Sequence, residues 1–325
     1  MPQKAPGKSH REGISLKKLM QMFPDDDAAR VWIEGQLWPD GPYCPRCGST
    51  NVQHPIKHKT MTHRCRDCPN RARFSLKVGT VMEASNLGYR DWAIALYLLT
   101  TNLKSVSAMK LHRDLEIAYT SAWHLAHRLR EAFANGESVP FSGPVEADET
   151  YLGGKRRNMS NAKRKELKEA GTGRGAVGKT AVVGTKDRET NKVAARTVAR
   201  TDALHLSGFV ATKAKDGATV YTDDAAAYNA LDPFYRHESV NHSASEYVRY
   251  EDGAAIHTNG IEAFWAMVKR SYVGTFHHFS AKHADRYIGE FAGRHNMREM
   301  DTIDMMGTVA ADMAGKRLKY RDLVA

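Results

Sequence analysis

Hydrophobic positions recur at helical spacing at both ends of the chain and alternate in its middle. Helical periodicity occupies residues 13–38, is absent from the Pro-, Gly- and Cys-containing segment 39–68, and returns through 88–134. Between about 145 and 228 the pattern changes to the alternation typical of half-buried strands, and helical spacing resumes from Gly260 onward. Helical stretches on either side of a strand-rich region predict an α+β chain with several domains.

These changes of pattern divide the chain into five segments. They are an N-terminal helical segment at 1–38, a cysteine-containing ribbon at 39–80, a helical region at 81–138, a strand-rich domain at 140–300 and a C-terminal tail at 301–325. The strand-rich domain contains a basic insert at 154–178, in which Lys and Arg far outnumber Glu. We expect this insert to be a solvated, mobile arm.

The overall charge favours an acidic partner. The 325-residue chain carries a formal net charge of +11 at pH 7, and excess positive charge of this size suits DNA or RNA without proving that either binds. No stretch approaches the roughly 18 consecutive apolar residues of a membrane span, and the basic, polar start lacks the apolar centre of a secretion signal. We therefore expect a cytoplasmic protein that does not bind membranes.

All four cysteines lie in one window with metal-ligand spacing. They form two CxxC pairs, separated by 17 residues: Cys44 with Cys47, and Cys65 with Cys68. Two such pairs match the ligand count and spacing of a structural Zn²⁺ site, and a site closed by four thiolates has no open position for chemistry. Disulfides are the alternative, but a cytosolic chain keeps its thiols reduced. The intervening His54, His58 and His63 are interpreted as loop histidines.

Residues 104–134 predict two helices joined by a short polar turn. On the second helix, which starts near Thr120, the predicted buried stripe is Ala122, Leu125, Ala126 and Leu129. The residues left more exposed are Thr120, His124, His127, Arg128 and Arg130. This is the layout of a helix-turn-helix, whose second helix enters the major groove of DNA. An ordinary αα-hairpin has the same pattern, and the turn lacks the Gly that is often found there.

Two strands in the middle of the chain carry acidic residues. In VEADETYL, residues 145–152, the alternation puts Glu146 and Asp148 on one face and turns Glu149 away. In ATVYTDDAAAY, Asp223 lies at the end of a strand and Asp224 starts the following turn. Acids at the ends of neighbouring strands can supply the oxygen ligands that Mg²⁺ prefers, although an Asp at a strand end is more often a turn or capping residue.

The stretch HTNGIEAFWAMVKR, residues 257–270, combines a helix start with polar groups of possible chemical use. Asn259 and Glu262 have capping-box spacing, so Glu262 can simply bond back to the helix start. Glu262 and Lys269 lie seven residues apart and project on one side of the helix, about 10 Å apart along its axis. The predicted buried stripe is Ile261, Trp265, Val268 and Tyr272.

Several of these segments, in this order, resemble the ISXO2-like transposases of the IS1595 group of bacterial insertion sequences. The matching segments are FPDDDAARVWIEGQLWPDGPYCPRCGS, CRDC, FSLKVGTVMEASNLGYRDWAIALYLL, VEADETYLGG, VYTDDAAAY, HTNGIEAFWAMVKR and FHHFSAKHADRYIGEFAGRHNMR. They cover most of residues 20–298, so the resemblance is far more specific than any single motif.

The resemblance implies a zinc ribbon and a helix-turn-helix in front of an RNase H-like catalytic domain of the DDE type. It implies that Asp148 on the first strand and Asp223 after the fourth strand bind catalytic metal, with a third group on a late helix. Glu262 matches that third position, followed by Lys269 as the basic residue. Some branches of the group have asparagine there, so Asn259 is a competing candidate. Asp224 stands where related sequences commonly have glycine.

The activity that the resemblance implies is cleavage at the 3′ ends of a transposon followed by strand transfer. It would use two catalytic Mg²⁺ or Mn²⁺ ions and structural Zn²⁺, act on terminal inverted repeats and target DNA, and work as a homo-oligomer on paired ends. Three alternatives stay open. They are a zinc-ribbon and helix-turn-helix DNA-binding regulator, an inactive transposase derivative, and an RNase H-like nuclease that cuts but does not join.

Overall fold

The computed structural model of the chain describes residues 12–133, 140–154, 158–169, 178–241, 244, 246–251 and 253–325. Their helices are α1 (Leu16–Met22), α2 (Asp26–Leu37), α3 (Tyr89–Thr101), α4 (Ala108–Asp114), α5 (Tyr119–Phe133), α6 (Asn161–Glu169), α7 (Ala203–Lys213), α8 (Asn259–Ser271), α9 (Ala281–Asn296), α10 (Thr302–Ala311) and α11 (Tyr320–Val324). Their strands are β1 (Val52–Gln53), β2 (His63–Cys65), β3 (Arg73–Phe74), β4 (Val145–Leu152), β5 (Thr180–Asp187), β6 (Val193–Val198), β7 (Thr219–Asp223), β8 (Arg236–Val240), β9 (Arg249–Glu251) and β10 (Ala254–Ile256).

The described residues form two compact units. One comprises residues 12–133 together with 297–325, and the other comprises the described residues between 140 and 296. The first contains α1–α5, α10, α11 and the small sheet β1–β3, and the second contains β4–β10 and α6–α9. The chain is therefore an α+β protein with more than one domain, as predicted.

The first unit has a single helical core to which both ends of the chain contribute. The N-cap of α2 is Asp25, whose side chain accepts the Ala28 N–H at 2.8 Å. Residues 301–325, predicted above as a tail, include α10, which packs against α2 and α3. The apolar side chains of α10 that this contact buries are Met305, Met306, Val309 and Ala310.

The start of α5 matches the predicted start near Thr120, and its predicted stripe is buried, whereas α4 begins only at Ala108. The prediction that the basic face of α5 is exposed was wrong for three residues, because His127, Arg128 and Arg130 are at most 7% exposed. Arg128 shows one cause, since its guanidinium donates to the carbonyls of Leu318 and Glu83 at 3.2 and 3.0 Å. Thr120 is exposed, as predicted, whereas His124 is half-buried.

The second unit is built on a mixed five-stranded sheet in the order β6-β5-β4-β7-β8. The neighbours β6, β5 and β4 are antiparallel, whereas β4, β7 and β8 are parallel. Apolar side chains of α8 and α9 share one core cluster with β4–β6, and those of α7 share a second with β4, β5 and β7. Helices therefore cover both sides of a sheet whose first strand is central, which fits the expected RNase H-like fold.

The basic insert is partly described. Its residues Asn161–Glu169 form α6, which lies largely exposed to solvent, so this part of the predicted arm is helical. Residues 155–157 and 170–177 lie outside the described residues. Among the helices that the structure describes, none is long and apolar enough to cross a bilayer.

Candidate functional site

The register of the central strands brings Asp148 and Asp223 together. The parallel strands β4 and β7 pair Val145 with Val220 and Glu146 with Tyr221. Continuing this register by two residues puts Asp148 of β4 level with Asp223, where β7 ends. Because β7 stops at this point while β4 continues, the two side chains meet at an open edge of the sheet. The acids predicted at neighbouring strand ends are thus brought together.

A third carboxylate joins them. One carboxylate oxygen each from Asp148, Glu149 and Asp223 lie within 4.8 Å of one another, and all three residues are half-buried. Strand alternation alone turns Glu149 away from Asp148, so the sequence pattern missed it. The hydroxyl of Tyr228 donates to Glu149 Oε2 at 3.1 Å and helps to hold this carboxylate beside the end of β7.

The crowding of negative charge is visible in the pKa values. Burial, followed by the charges of Asp223, Glu149 and Glu262, raises the pKa of Asp148 to about 8. Burial and the charge of Asp223 likewise raise the pKa of Glu149. A divalent cation bound by these oxygens would relieve both the repulsion and the burial of uncompensated charge. The donor set, which consists only of carboxylates, suits Mg²⁺ or Mn²⁺.

The helix α8 carries the other predicted site residues. Its N-cap is Thr258, and the Thr258 hydroxyl donates to Glu262 Oε1 at 3.1 Å. The capping role predicted for Asn259 is therefore taken by the preceding residue, and Asn259 is the exposed first residue of the helix. Glu262 is half-buried and acts electrostatically on Asp148, whereas Lys269 is exposed in the last turn. The predicted buried stripe of α8 is confirmed at all four positions.

The buried Glu146 ties the start of α8 to β4. This carboxylate is 1% exposed and accepts the Ile261 N–H of the first turn of α8 at 2.8 Å. An amide in the first turn of a helix has no partner within the helix, and a negative charge there is also favoured by the helix dipole. Since Glu146 lies two residues before Asp148, this contact fixes the helix that carries Glu262 to the strand that carries Asp148.

Arg188 completes this connection. Its guanidinium donates to Glu146 Oε1 at 2.7 Å, and to the carbonyls of Ala255 and His257 at 2.6 Å each. The guanidinium also lies 4.3 Å from the centroid of the Tyr221 ring on β7. One arginine therefore joins β4, β7 and the segment that leads into α8. The sequence placed Glu146 on the face of Asp148 but did not predict its role, and it did not single out Arg188, because the partners of both residues lie far away along the chain.

The close approach of α8 to Glu146 requires glycine at position 260. A Cβ there would lie 2.6 Å from Glu146 Oε2 and 3.0 Å from Lys186 Nζ. We expect Gly260→Ala to lower the free energy of unfolding by about 1–3 kcal/mol, because Glu146 is held by two hydrogen bonds and cannot yield easily. In the matched control Gly208→Ala on α7, nothing lies within 4 Å of the new Cβ. Gly208→Ala should instead raise the free energy of unfolding by up to about 1 kcal/mol. Urea unfolding of both variants tests this, and equal stability of the two contradicts it.

The four cysteines form the second candidate metal site. Their Sγ atoms lie 3.6 Å apart between Cys44 and Cys68, 3.7 Å between Cys47 and Cys65, and 3.3 Å between Cys47 and Cys68. Spacings of this size suit four thiolates around one tetrahedral ion, and all four cysteines are free of disulfides. This zinc-ribbon arrangement supports structural Zn²⁺.

The neighbouring histidines have a packing role. His63 is on β2 and not in a loop, and it is fully buried between Trp38 and Phe74, with ring centroids 5.0 and 5.2 Å away. His54 stacks on His63 with parallel rings 3.8 Å apart, and both approach Glu34. Imidazoles bind a metal in the plane of the ring, so two stacked rings do not point at one ion. The arrangement favours a packing role over a further metal site.

Comparison with known proteins gives two family matches and one relative. Residues 140–296 match an ISXO2-like transposase domain, and residues 24–71 match a transposase zinc-ribbon domain. A protein of Halobacterium salinarum, described as an uncharacterized protein in transposable element ISH50, is 28% identical over 240 residues, which cover 72% of this chain and 78% of that protein. No solved structure matches the chain significantly.

Proposed function

Because the chain belongs to the IS1595 family of transposases, we propose that it cuts DNA at the ends of an insertion sequence and joins the freed 3′ ends to target DNA. The observation that carries the proposal is the meeting of Asp148 and Asp223 at the open edge of an RNase H-like sheet. Phosphodiester chemistry of this kind needs charge neutralisation and an in-line nucleophile, and it needs no covalent enzyme intermediate.

We assign Asp148, Asp223 and Glu262 as the ligands of catalytic Mg²⁺ or Mn²⁺. When bound, two such ions would activate the attacking water or 3′-hydroxyl and stabilise the departing oxygen. The chain supplies carboxylates whose pKa values are raised by burial and by the charges of neighbouring acids. Glu146 and Arg188 act as positioning residues, because they fix the start of α8, and with it Glu262, to the strand of Asp148.

Glu149 and Asn259 are the competing candidates for the third ligand. Glu149 already lies with the two aspartates, and like Glu262 it accepts one hydroxyl hydrogen bond, from Tyr228. Asn259 is exposed and carries no charge. We favour Glu262 because it lies on the helix that Glu146 fixes beside β4. Lys269, exposed two turns further along α8, would contact the DNA backbone.

DNA recognition is assigned to the first unit. The zinc ribbon would keep its part of this unit folded, and the exposed start of α5, which includes Tyr119 and Thr120, is the part of a recognition helix that contacts base edges. The net charge of +11 would add attraction to phosphates that weakens with salt. Homo-oligomerisation on paired ends is proposed by analogy with other transposases.

The raised pKa of Asp148 predicts a dependence of stability on pH. Folded Asp148 keeps its proton between the ordinary pKa of 3.8 and about 8, whereas the unfolded chain has lost it. Stability therefore falls as the pH rises through this window. Without added Mg²⁺, Asp148→Asn should melt at least about 2 °C above wild type at pH 8, or about 1 kcal/mol for a domain of this size.

The difference in melting temperature between wild type and Asp148→Asn should shrink towards pH 4. Added Mg²⁺ should stabilise the wild type more than the variant. Thermal melts at a series of pH values measure both effects. A difference in melting temperature that stays constant at every pH contradicts the raised pKa of Asp148.

The test of function is an assay of both reactions with purified protein and Mg²⁺. A labelled duplex that ends in the inverted repeat flanking the gene should be nicked at the 3′ end, and the product should be joined to a target plasmid. Cleavage without joining favours a nuclease. Sequence-specific binding with neither reaction favours a regulator or an inactive derivative. Either outcome overturns the proposal.

A further inference from the structure

A cavity of about 390 Å³ lies within the first unit, away from the carboxylates. One wall is a face of α5 formed by Ser121, His124, Leu125 and Arg128, which recur at helical spacing. The other walls are the loop 83–87 and the C-terminal segment 317–320. The cavity therefore adjoins the same helix whose first turn is exposed.

The charged groups around this cavity are mainly positive. Arg128, Arg317 and Lys319 line it together with a single carboxylate, Glu83. That carboxylate is already used, because Arg317 Nη2 lies 2.9 Å from Glu83 Oε1 and the Gly79 N–H donates to Oε2 at 3.0 Å. Among the described residues, Lys319 has no acidic partner. Burial, followed by the charge of Arg317, lowers the pKa of Arg128, and the charge of Glu83 offsets part of this effect.

Two hydrogen-bond donors of residues that line the cavity have no acceptor among the described residues. Arg128 is 7% exposed, and its Nε and Nη2 donate to His124 and to the carbonyls of Leu318 and Glu83. Its Nη1 has no partner among the described residues. The indole Nε1 of Trp92 is fully buried and also lacks a hydrogen-bond partner in the part of the chain that the structure describes. Arg128 Nη1 keeps exposed surface and can meet an acceptor bound in the cavity, whereas the indole N–H has no exposed surface and does not face it.

We propose that this cavity binds a phosphate group, and specifically a backbone phosphate of the DNA that α5 contacts. Phosphate provides the negative charge and the acceptor oxygens that Arg128 Nη1 and Lys319 lack. A phosphate held beside α5 would set the position of this helix on the duplex, which is what backbone contacts do in protein–DNA complexes. The claim that the phosphate belongs to DNA rests on the proposed function. The claim that the cavity binds a phosphate group rests only on the side chains that line it.

The test compares Lys319→Gln with Arg321→Gln in the full-length protein. Both changes remove one positive charge from the same segment, but Arg321 does not line the cavity. Binding of a fluorescent duplex is measured over a series of salt concentrations. Lys319→Gln should weaken binding about tenfold and lower the slope of log K against log salt by about one, because one phosphate contact is lost. Arg321→Gln should leave the slope unchanged.

One further measurement separates the possible sources of phosphate. Calorimetry with ATP asks whether a free nucleotide binds instead. If Lys319→Gln abolishes ATP binding but leaves the duplex slope unchanged, the phosphate site stands with a free nucleotide as its source.

If Lys319→Gln changes neither measurement relative to Arg321→Gln, the phosphate site is overturned. This outcome is distinct from failure of the proposed function. Failure of that function would appear as absent cleavage and joining, whatever the slope of duplex binding.

Discussion

We expect Asp148→Asn and Asp223→Asn each to slow DNA cleavage and joining by at least about a thousandfold, equivalent to about 4 kcal/mol of transition-state stabilisation. Each change replaces a carboxylate with an amide of nearly the same size. It removes the negative charge that binds a divalent ion. Duplex binding should stay within about twofold of wild type, because it depends on phosphate contacts and not on these acids. Single-turnover cleavage of a labelled inverted-repeat duplex in Mg²⁺ measures the loss.

The matched control is Asp224→Asn. Asp224 follows Asp223 directly, is exposed, and accepts a hydrogen bond from Asn241 that an asparagine oxygen can also accept. This variant should keep cleavage within about threefold of wild type, since added or removed charge at an exposed site is largely screened. Full activity of either Asp148→Asn or Asp223→Asn would remove the basis for the proposed site.

The same assay ranks the three candidates for the third ligand. If Glu262 binds metal, Glu262→Gln should lose at least about a hundredfold in rate, or about 3 kcal/mol. Asn259→Ala should remain near wild type, and Glu149→Gln should mainly raise the Mg²⁺ concentration needed for half-maximal rate. A severe loss in Glu149→Gln with a mild one in Glu262→Gln would assign the third position to β4 and not to α8.

Loss of the zinc ligands should unfold the ribbon and abolish DNA binding. Cys44 and Cys65 are at most 1% exposed and belong to the hydrophobic core of the first unit. Structural zinc contributes about 10–16 kcal/mol in isolated small domains, so Cys44→Ser should leave the ribbon without enough stability to fold. We expect wild type to contain one zinc per chain, Cys44→Ser to contain none, and duplex affinity to fall at least about a hundredfold, or about 3 kcal/mol.

Elemental analysis and a colorimetric zinc-release titration measure the metal. His58→Ala is the matched control, because His58 lies between the cysteine pairs and is exposed. It should retain both zinc and DNA binding. Duplex affinity that survives complete removal of zinc would show that the ribbon does not support recognition.

Local patterns predicted well those features that depend on nearby residues. The cysteine spacing, the buried stripe of α8 and the strand ends at Asp148 and Asp223 follow from contacts or periods within a few residues. The sheet as a whole could be expected only from the resemblance, because the order of five strands depends on pairings between distant segments. The start of α8 was predicted to within one residue, because its N-cap is Thr258 and not Asn259.

The features that were missed depend on distant segments. Glu149 joins the carboxylates because β7 ends level with Asp148, which strand alternation cannot reveal. Arg128 is buried because a carbonyl 190 residues away accepts its hydrogen bond. A basic residue that would be exposed on an isolated helix can be covered by any part of the chain, so helical periodicity alone misjudged this face of α5.

The helix α10 completes the core of the first unit from a segment that follows the second unit in sequence. The first unit is interrupted in sequence by the whole of the second, and its core lacks Met305, Met306 and Val309 until the last part of the chain is available. During synthesis, the RNase H-like unit therefore has all of its residues before the helical unit does. A fragment truncated after residue 133 would expose the surface of α2 and α3 that α10 covers, so a soluble recognition fragment would need residues 12–133 joined to 297–325.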